Sequence, residues 1–222
     1  IFWHSVQTLV AMADFGAAEL ERAAGADWKR ATHHPFIEGI GGGTLPQEKF
    51  KIYLMQDYIF LESFARLIAR IIAAAPAMPQ ISKLSSFLAV ITSEENDYFL
   101  RSFAALGSSE SEAGKATPSP TMQKMLDAFA RAEGEGYHSM IAALFCAEWV
   151  YHSWGVRLAA TEKPPASLPF YFHEWIGLHS NDGFRAFVSW LYGEVDRTAK
   201  ECSGTAAEAQ MRQVFVELVK LE

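Results

Sequence analysis

Cysteine is scarce in this chain. Cys146 and Cys202 are the only two in 222 residues, far apart and with no C-x-x-C redox or metal pair between them, so the chain reads as a reduced, cytosolic protein. No stretch is apolar for the length a membrane span needs, and none has the build of a secretory leader. Positive charge is thin as well: 19 Lys and Arg stand against 26 Asp and Glu, a net charge of −7 with no basic run. An electrostatic footprint for nucleic acid or an anionic membrane is therefore missing, and neither partner is expected. Period-2 alternation never lasts more than a few positions, which excludes a substantial sheet. No internal repeat is present.

Apolar residues make up 50% of the chain, and 16 Phe, 6 Trp and 7 Tyr exceed what a small core needs. Such an excess either builds a large aromatic core or lines a pocket for a flat ligand. The length suits a single domain over residues 1–222 with a full core. Residues 1–13 are apolar enough to pack on the body; an incomplete N-terminus or an extension over 1–14 fits equally.

Helical periodicity fills nearly everything else, so the fold class is all-α. Helices are predicted near Ala17 to Thr32, Pro46 to Ala75, Ile81 to Ala105, Thr121 to Ala132, Tyr137 to Ala160, Pro169 to Leu178, Asp182 to Cys202 and Thr205 to Glu222. A short turn after His34-Pro35 ends at Gly41-Gly42-Gly43. Thr44 and Gln47 then have the spacing of a capping box opening the long second helix. The Ser-, Glu-, Gly- and Pro-rich stretch from Gly107 to Pro120 is predicted to be an exposed loop.

Four acids interrupt apolar stripes. On the long helix the stripe reads Phe50, Tyr53, Leu54, Asp57, Phe60, Leu61, Phe64, Leu67, Ile68 and Ile71, so Asp57 is a single carboxylate in a core pattern. Such a group needs a hydrogen-bond partner, an ion pair or a proton, supplied by the protein or by a ligand. Glu148 is the only charge between Met140 and Tyr151, on a helix apolar all round and therefore central to the bundle. Glu95 follows Leu84, Leu88 and Ile91, although its acidic neighbours fit a solvent-edge position as well. Glu222 follows Phe215 and Leu218 at the end of the sequence, where an acid is usually solvated. Tyr151, on aromatic spacing alone, reads as core.

The runs His34-Pro35-Phe36, Gly43-Thr44-Leu45-Pro46-Gln47-Glu48-Lys49-Phe50 and Tyr53-Leu54-Met55-Gln56-Asp57-Tyr58 closely resemble the opening of the TenA family, thiamin-salvage proteins related to thiaminase II. The likeness continues through Ala142-Ala143-Leu144, Trp149-Val150-Tyr151, Gly155 and Asn181-Asp182-Gly183-Phe184 to Trp190-Leu191. It implies a haem-oxygenase-like helical bundle, a homo-oligomer (dimer or tetramer), and a pocket holding an aminopyrimidine between aromatic side chains. Carried over, Asp57 is the acid that contacts the pyrimidine, Phe60 and Tyr151 stand at positions of family tyrosines, and Glu222 matches a proposed general acid/base.

At the nucleophile the chain departs from the family pattern. Alignment on Trp149, Tyr151 and Gly155 puts Ala147 where thiaminase II-type members carry their cysteine, and Cys146 one residue early. One residue is a rotation of about 100° on a helix, so Cys146 is expected to be a core residue and no substitute nucleophile. Ala147-Glu148-Trp149 instead resembles a cysteine-less subclass. That resemblance implies an aminopyrimidine aminohydrolase that releases hydroxymethylpyrimidine from aminomethylpyrimidine or its N-formyl derivative, without cofactor or metal. Asp57 would orient the ring, Glu148 and Glu222 would move protons and direct a water, and Phe60, Tyr151, His179, Glu95 and Ala147 would shape the pocket. Two readings compete: a non-catalytic pyrimidine-binding or regulatory protein, and a di-metal oxidase of the same fold. The second lacks ligands, since Ser102 stands where a histidine would follow Glu95, and His179-Ser180-Asn181-Asp182 has no second histidine.

Overall fold

The computed structural model describes residues 15–161 and 168–222; the expectations for residues 1–14 lie outside that range. Among the described residues every regular element is helical. The elements run α1 (Ala17–Ala24), α2 (Ala26–Thr32), α3 (Pro35–Gly41), α4 (Gln47–Ala74), α5 (Met78–Val90), a π-helical turn (Ile91–Glu95) and α6 (Asn96–Ala105). They continue through α7 (Glu110–Ala113), α8 (Pro120–Glu135), α9 (Tyr137–Ala159), α10 (Phe170–Leu178), α11 (Asp182–Cys202) and α12 (Ala206–Leu221). No helix among them is long and apolar enough to cross a membrane.

The bundle is organised around α9. Its residues Ser139 to Glu148 are buried without interruption, and it packs against α2, α3, α4, α8, α10, α11 and α12. A helix apolar on every side cannot lie at a surface, so neighbours must close over it all round. α4 lies along it and buries Phe50, Leu54, Asp57, Phe60, Leu61, Phe64, Leu67, Ile68 and Ile71, the sequence stripe at i+3/i+4 spacing. Each large side chain removed from water there contributes about 1.5–3 kcal/mol. Tyr98 on α6 donates to the Tyr171 carbonyl at 2.7 Å, and the Gln47 amide donates to the Tyr171 hydroxyl at 2.9 Å. The first bond seats α10 against α6 and the second seats it against the start of α4.

Several boundaries differ from the sequence expectation. The first helix is two, broken at Gly25 (φ 55°, ψ −127°), a conformation that glycine adopts at little cost. The turn after His34 is a full helix, α3, which the His34 ring caps by accepting from the Phe36 amide. The Thr44 capping box does not form. α4 begins after Pro46 with no side-chain cap, because the Thr44 and Leu45 amides both bond back to the Gly39 carbonyl and hold Thr44 at the end of α3. Gln47 is spent on Tyr171 instead. The stretch from Gly107 to Pro120 contains α7, capped by Ser109. The predicted Ile81 to Ala105 helix starts at Met78 and changes to π geometry at Ile91–Glu95. There the Thr92 and Ser93 hydroxyls donate back to the Leu88 and Ala89 carbonyls, side-chain bonds that compete with the regular ladder.

Candidate functional site

A small cavity of about 20 Å³ lies where α4, the π turn, α6, α9 and α10 meet. That is room for one water. α4 supplies Asp57, Phe60, Leu61 and Phe64; the π turn supplies Ile91 and Glu95. α9 supplies Ala147, Glu148 and Tyr151, and Trp175 and His179 close the far side with Phe99 of α6. Seven of the eight expected site residues therefore line one cavity. The eighth, Glu222, does not line it, yet is near enough for its charge to act on Glu148 and Tyr151.

The π turn explains how Glu95 arrives. A π turn spends an extra residue per turn and re-aims the side chains beyond it, and such turns gather at functional sites. Glu94 stays exposed while Glu95 is drawn inward, so the solvent-edge reading of Glu95 does not hold.

The electrostatics depend on what is missing around these acids. Among the described residues no Lys, Arg or His forms an ion pair with Asp57, Glu95, Glu148 or Glu222. Burial in a medium without counter-charge disfavours the carboxylate form. It pushes Asp57 up to about 7, against which hydrogen bonds from Tyr53 and Tyr151 act. Burial and the charge of Asp57 push Glu95 and Glu222 up to about 8. Glu148 is raised well above the usual carboxylate range by burial and by all three of the others. Glu194 is the counter-example within the same fold. Burial also acts to raise it, but Arg197, Gln80 and Tyr137 all donate to it and hold it below its ordinary value. Glu194 is a structural acid with its partners in place; Asp57, Glu95 and Glu148 at the cavity and Glu222 behind it lack a cationic partner among the described residues and are pushed toward the protonated form.

A relay of hydroxyls reaches Asp57. The Tyr53 hydroxyl lies 2.7 Å from that of Tyr151, and Tyr151 donates to Asp57 Oδ1 at 3.5 Å. Periodicity assigns Tyr53 only to the apolar stripe; its polar end is set by Tyr151, 98 residues away, which no local pattern signals. Trp175 is a second residue that sequence reasoning misses. It is 1% exposed, lines the cavity, and its indole Nε1–H has no partner among the described residues. The spacing of Trp175 and His179, one helical turn apart, is the available signal.

His179 is buried, and its Nδ1 lies 2.8 Å from the Trp175 carbonyl. Since a carbonyl only accepts, Nδ1 carries the hydrogen and Nε2 is left as an acceptor. Burial holds its pKa down near 4, so the ring is neutral. Its backbone is fixed by a close approach of α9. A Cβ on Gly155 would lie 2.6 Å from the His179 carbonyl oxygen.

Ala147 faces the cavity, as its register requires, and Cys146 faces away. Its thiol contacts the Phe215 carbonyl on α12 at 3.7 Å, and burial pushes its pKa well up. A protonated thiol on the wrong face of the helix is no nucleophile. Among the described residues no three His, Cys, Asp or Glu side chains are grouped so as to hold a metal ion.

A sequence profile described as the TENA/THI-4/PQQC family matches residues 22–222. The aminopyrimidine aminohydrolase of Halalkalibacterium halodurans is 30% identical over 207 residues, covering 93% of this chain and 91% of that protein. The aminopyrimidine aminohydrolase of Bacillus subtilis is 33% identical over 198 residues, 88% of this chain and 81% of that one. In three dimensions, a TenA family transcription regulator from Silicibacter superposes with a TM-score of 0.82 at 23% identity, covering 94% of each chain. These neighbours have the all-helical haem-oxygenase-like fold.

Proposed function

The chain belongs to the TENA/THI-4/PQQC family, and from that membership we propose that it is a thiamin-pyrimidine salvage hydrolase, an aminopyrimidine aminohydrolase releasing hydroxymethylpyrimidine from aminomethylpyrimidine or its N-formyl derivative. The observation that carries the proposal is the convergence of Asp57, Glu95 and Glu148 on one aromatic cavity, with Glu222 close behind it and no ion-pairing cation among the described residues. Hydrolysis of a C–N bond needs a proton for the leaving nitrogen and a base for the attacking water, and coupled carboxyl groups supply both near neutral pH.

Asp57, poised at about 7, binds the pyrimidine edge. An aminopyrimidine presents a ring-nitrogen acceptor beside an amino donor, and a carboxyl group meets both. Tyr53 and Tyr151 orient that carboxyl. Phe60, Tyr151 and Ala147 wall the cavity, which has to widen from the size of one water to admit the ring, while Glu95 and His179 stand at the wall beyond it. Glu148 and Glu222 share the proton work: a C–O bond forms between water and the methylene carbon, the C–N bond breaks, and the water's proton ends on the leaving nitrogen. Ala147, at the nucleophile position, excludes a cysteinyl intermediate.

A single domain over the chain, a cytoplasmic location and a homo-oligomer belong to the same reading. One contiguous buried cluster supports the first, the lack of a membrane-spanning helix among the described residues supports the second, and exposed Ile52, Met78 and Phe170 offer apolar surface for the third. Ala147 also supports the alternative, a protein that binds the pyrimidine without turning it over.

Mass-spectrometric turnover of aminomethylpyrimidine, its N-formyl derivative and thiamin, with and without EDTA, separates the two. Glu148→Gln and Glu222→Gln are expected to lower kcat by roughly 10²–10⁴ and to alter the pH–rate profile. Variants whose turnover and profile both match the wild type would remove the proton-transfer assignment.

A further inference from the structure

The inner cavity does not end at Glu95 and His179. The same two residues also line a second, larger cavity of about 270 Å³, bounded by α5, the π turn and the start of α11. Small-molecule sites run roughly 300–1,000 Å³, so the inner cavity is far too small to be the whole site, while the outer one brings it close to that range. A wider groove of about 750 Å³ also touches the inner cavity, but only through the apolar Leu61 and Ile91. Of these two junctions, the one at Glu95 and His179 carries polar groups that could receive a substituent crossing it.

The chemistry of the outer chamber is specific. Phe87 and Phe187 stack with ring centroids 3.7 Å apart, and Phe184 meets the His179 ring edge-on at 5.3 Å. Around this aromatic surface stand Lys83 and Glu94, one charge of each sign, so the chamber favours an uncharged, largely apolar group. At the junction the fixed Nδ1–H tautomer of His179 leaves Nε2 as an acceptor for an N–H. Glu95, uncharged at neutral pH, has an O–H to give to a carbonyl.

We propose that this outer chamber binds the acyl part of N-acylated aminomethylpyrimidines longer than the formyl compound, with the amide straddling Glu95 and His179 and the acyl chain lying against Phe87, Phe184 and Phe187. The inference rests on the aminopyrimidine hydrolase reading. The reaction stays balanced with water alone: the methylene C–N bond breaks, a C–O bond forms, and the leaving group departs as the carboxamide, its nitrogen taking the water's proton.

The test measures Kd by titration calorimetry for aminomethylpyrimidine and its N-formyl, N-acetyl and N-butanoyl derivatives, with products followed by mass spectrometry. Each buried methylene is worth roughly a fourfold gain in affinity, so N-butanoyl, three carbons longer than N-formyl, is expected to bind up to roughly 60-fold tighter and to yield butanamide. Ser86→Trp and Val90→Trp, two separate fillings of the chamber, are each expected to abolish or reverse that preference; circular dichroism establishes that each is folded. Equal affinity for the formyl and butanoyl compounds in the wild type, or a preference that both folded variants keep, overturns the chamber. Release of butanoate in place of butanamide overturns the carboxamide route. Failure to turn over any compound while the chain-length preference persists overturns the hydrolase reading and leaves the chamber standing.

Discussion

Replacing Gly155 by alanine tests whether one close backbone approach sets the position of His179. Both Gly155 and Gly193 lie inside long helices, α9 and α11, so alanine brings the same gain in helix propensity, about 1 kcal/mol, at each. Their surroundings differ. Around Gly193 a Cβ would meet nothing within 4 Å, whereas at Gly155 it would lie 2.6 Å from the His179 carbonyl oxygen and 2.8 Å from both its carbonyl carbon and its Cβ. These are backbone or near-backbone atoms, so restoring ordinary contact needs a retreat of roughly 0.8 Å by the end of α10, and a close-packed interior resists that. Overpacking of this kind costs about 1–3 kcal/mol. Gly193→Ala should therefore stabilise by about 0.5–1 kcal/mol, and Gly155→Ala should fall below it by about 1–3 kcal/mol. In thermal unfolding that is a separation of several degrees, at roughly 2–4 °C per kcal/mol for a chain of this size. Because the shift falls on His179, kcat/KM of the Gly155 variant should drop by up to ~10²-fold, the scale of a misplacement near 1 Å. Equal melting temperatures for the two variants would refute the packing argument; a destabilised Gly155→Ala with wild-type kcat/KM would refute the link to the site.

Iodoacetamide at pH 8 should leave turnover intact over hours, since Cys146 is buried with its pKa raised and Ala147 holds the cavity position; rapid inactivation would restore a thiol mechanism. Stability should fall as pH rises from 6.5 to 8.5. The folded state holds protons on Asp57 up to about 7 and on Glu95 and Glu222 up to about 8, while the unfolded chain has released them near 4. Raised acids stabilise fully below the unfolded pKa, and that contribution is lost as pH climbs through the folded one. The structural acids Glu19, Glu174 and Glu194, all lowered, are ionised in both states across this window and add no slope. At roughly 1.4 kcal/mol per pH unit per protonated group, the urea midpoint should report a loss of about 2 kcal/mol or more, reduced in Asp57→Asn; a flat or rising profile would contradict the account.

The helical skeleton and half of the site were legible because periodicity records which side of a helix is buried. Asp57 broke the stripe of α4, and Glu148 was the only charge on a helix apolar all round; both are buried at the cavity. The resemblance added Glu222 and the register that separates Ala147 from Cys146. What escaped depends on contacts across the chain. Glu95 was ambiguous because a run with acidic Glu94 and Asp97 beside it looks solvated, and the π turn that draws it inward has no composition of its own. The orphan indole N–H of Trp175 is defined by the lack of a partner, and the Tyr53–Tyr151 bond joins residues 98 positions apart. The capping box failed for a related reason: Thr44 had the spacing, but the end of α3 had already claimed its backbone.

A pocket whose acids are balanced by protons, and not by arginine or lysine, has no fixed electrical identity. It is near neutral toward a neutral guest, and it becomes an anion for a cationic guest by surrendering a proton to the buffer. Binding a positively charged amine is therefore an ion exchange at constant total charge, in which the guest's charge replaces one that left as H⁺. The same exchange runs backward after bond cleavage, when a neutral alcohol remains and the acids take up protons again. Turnover and recharging of the pocket are thus one cycle, with the solvent's proton activity as a participant in each round.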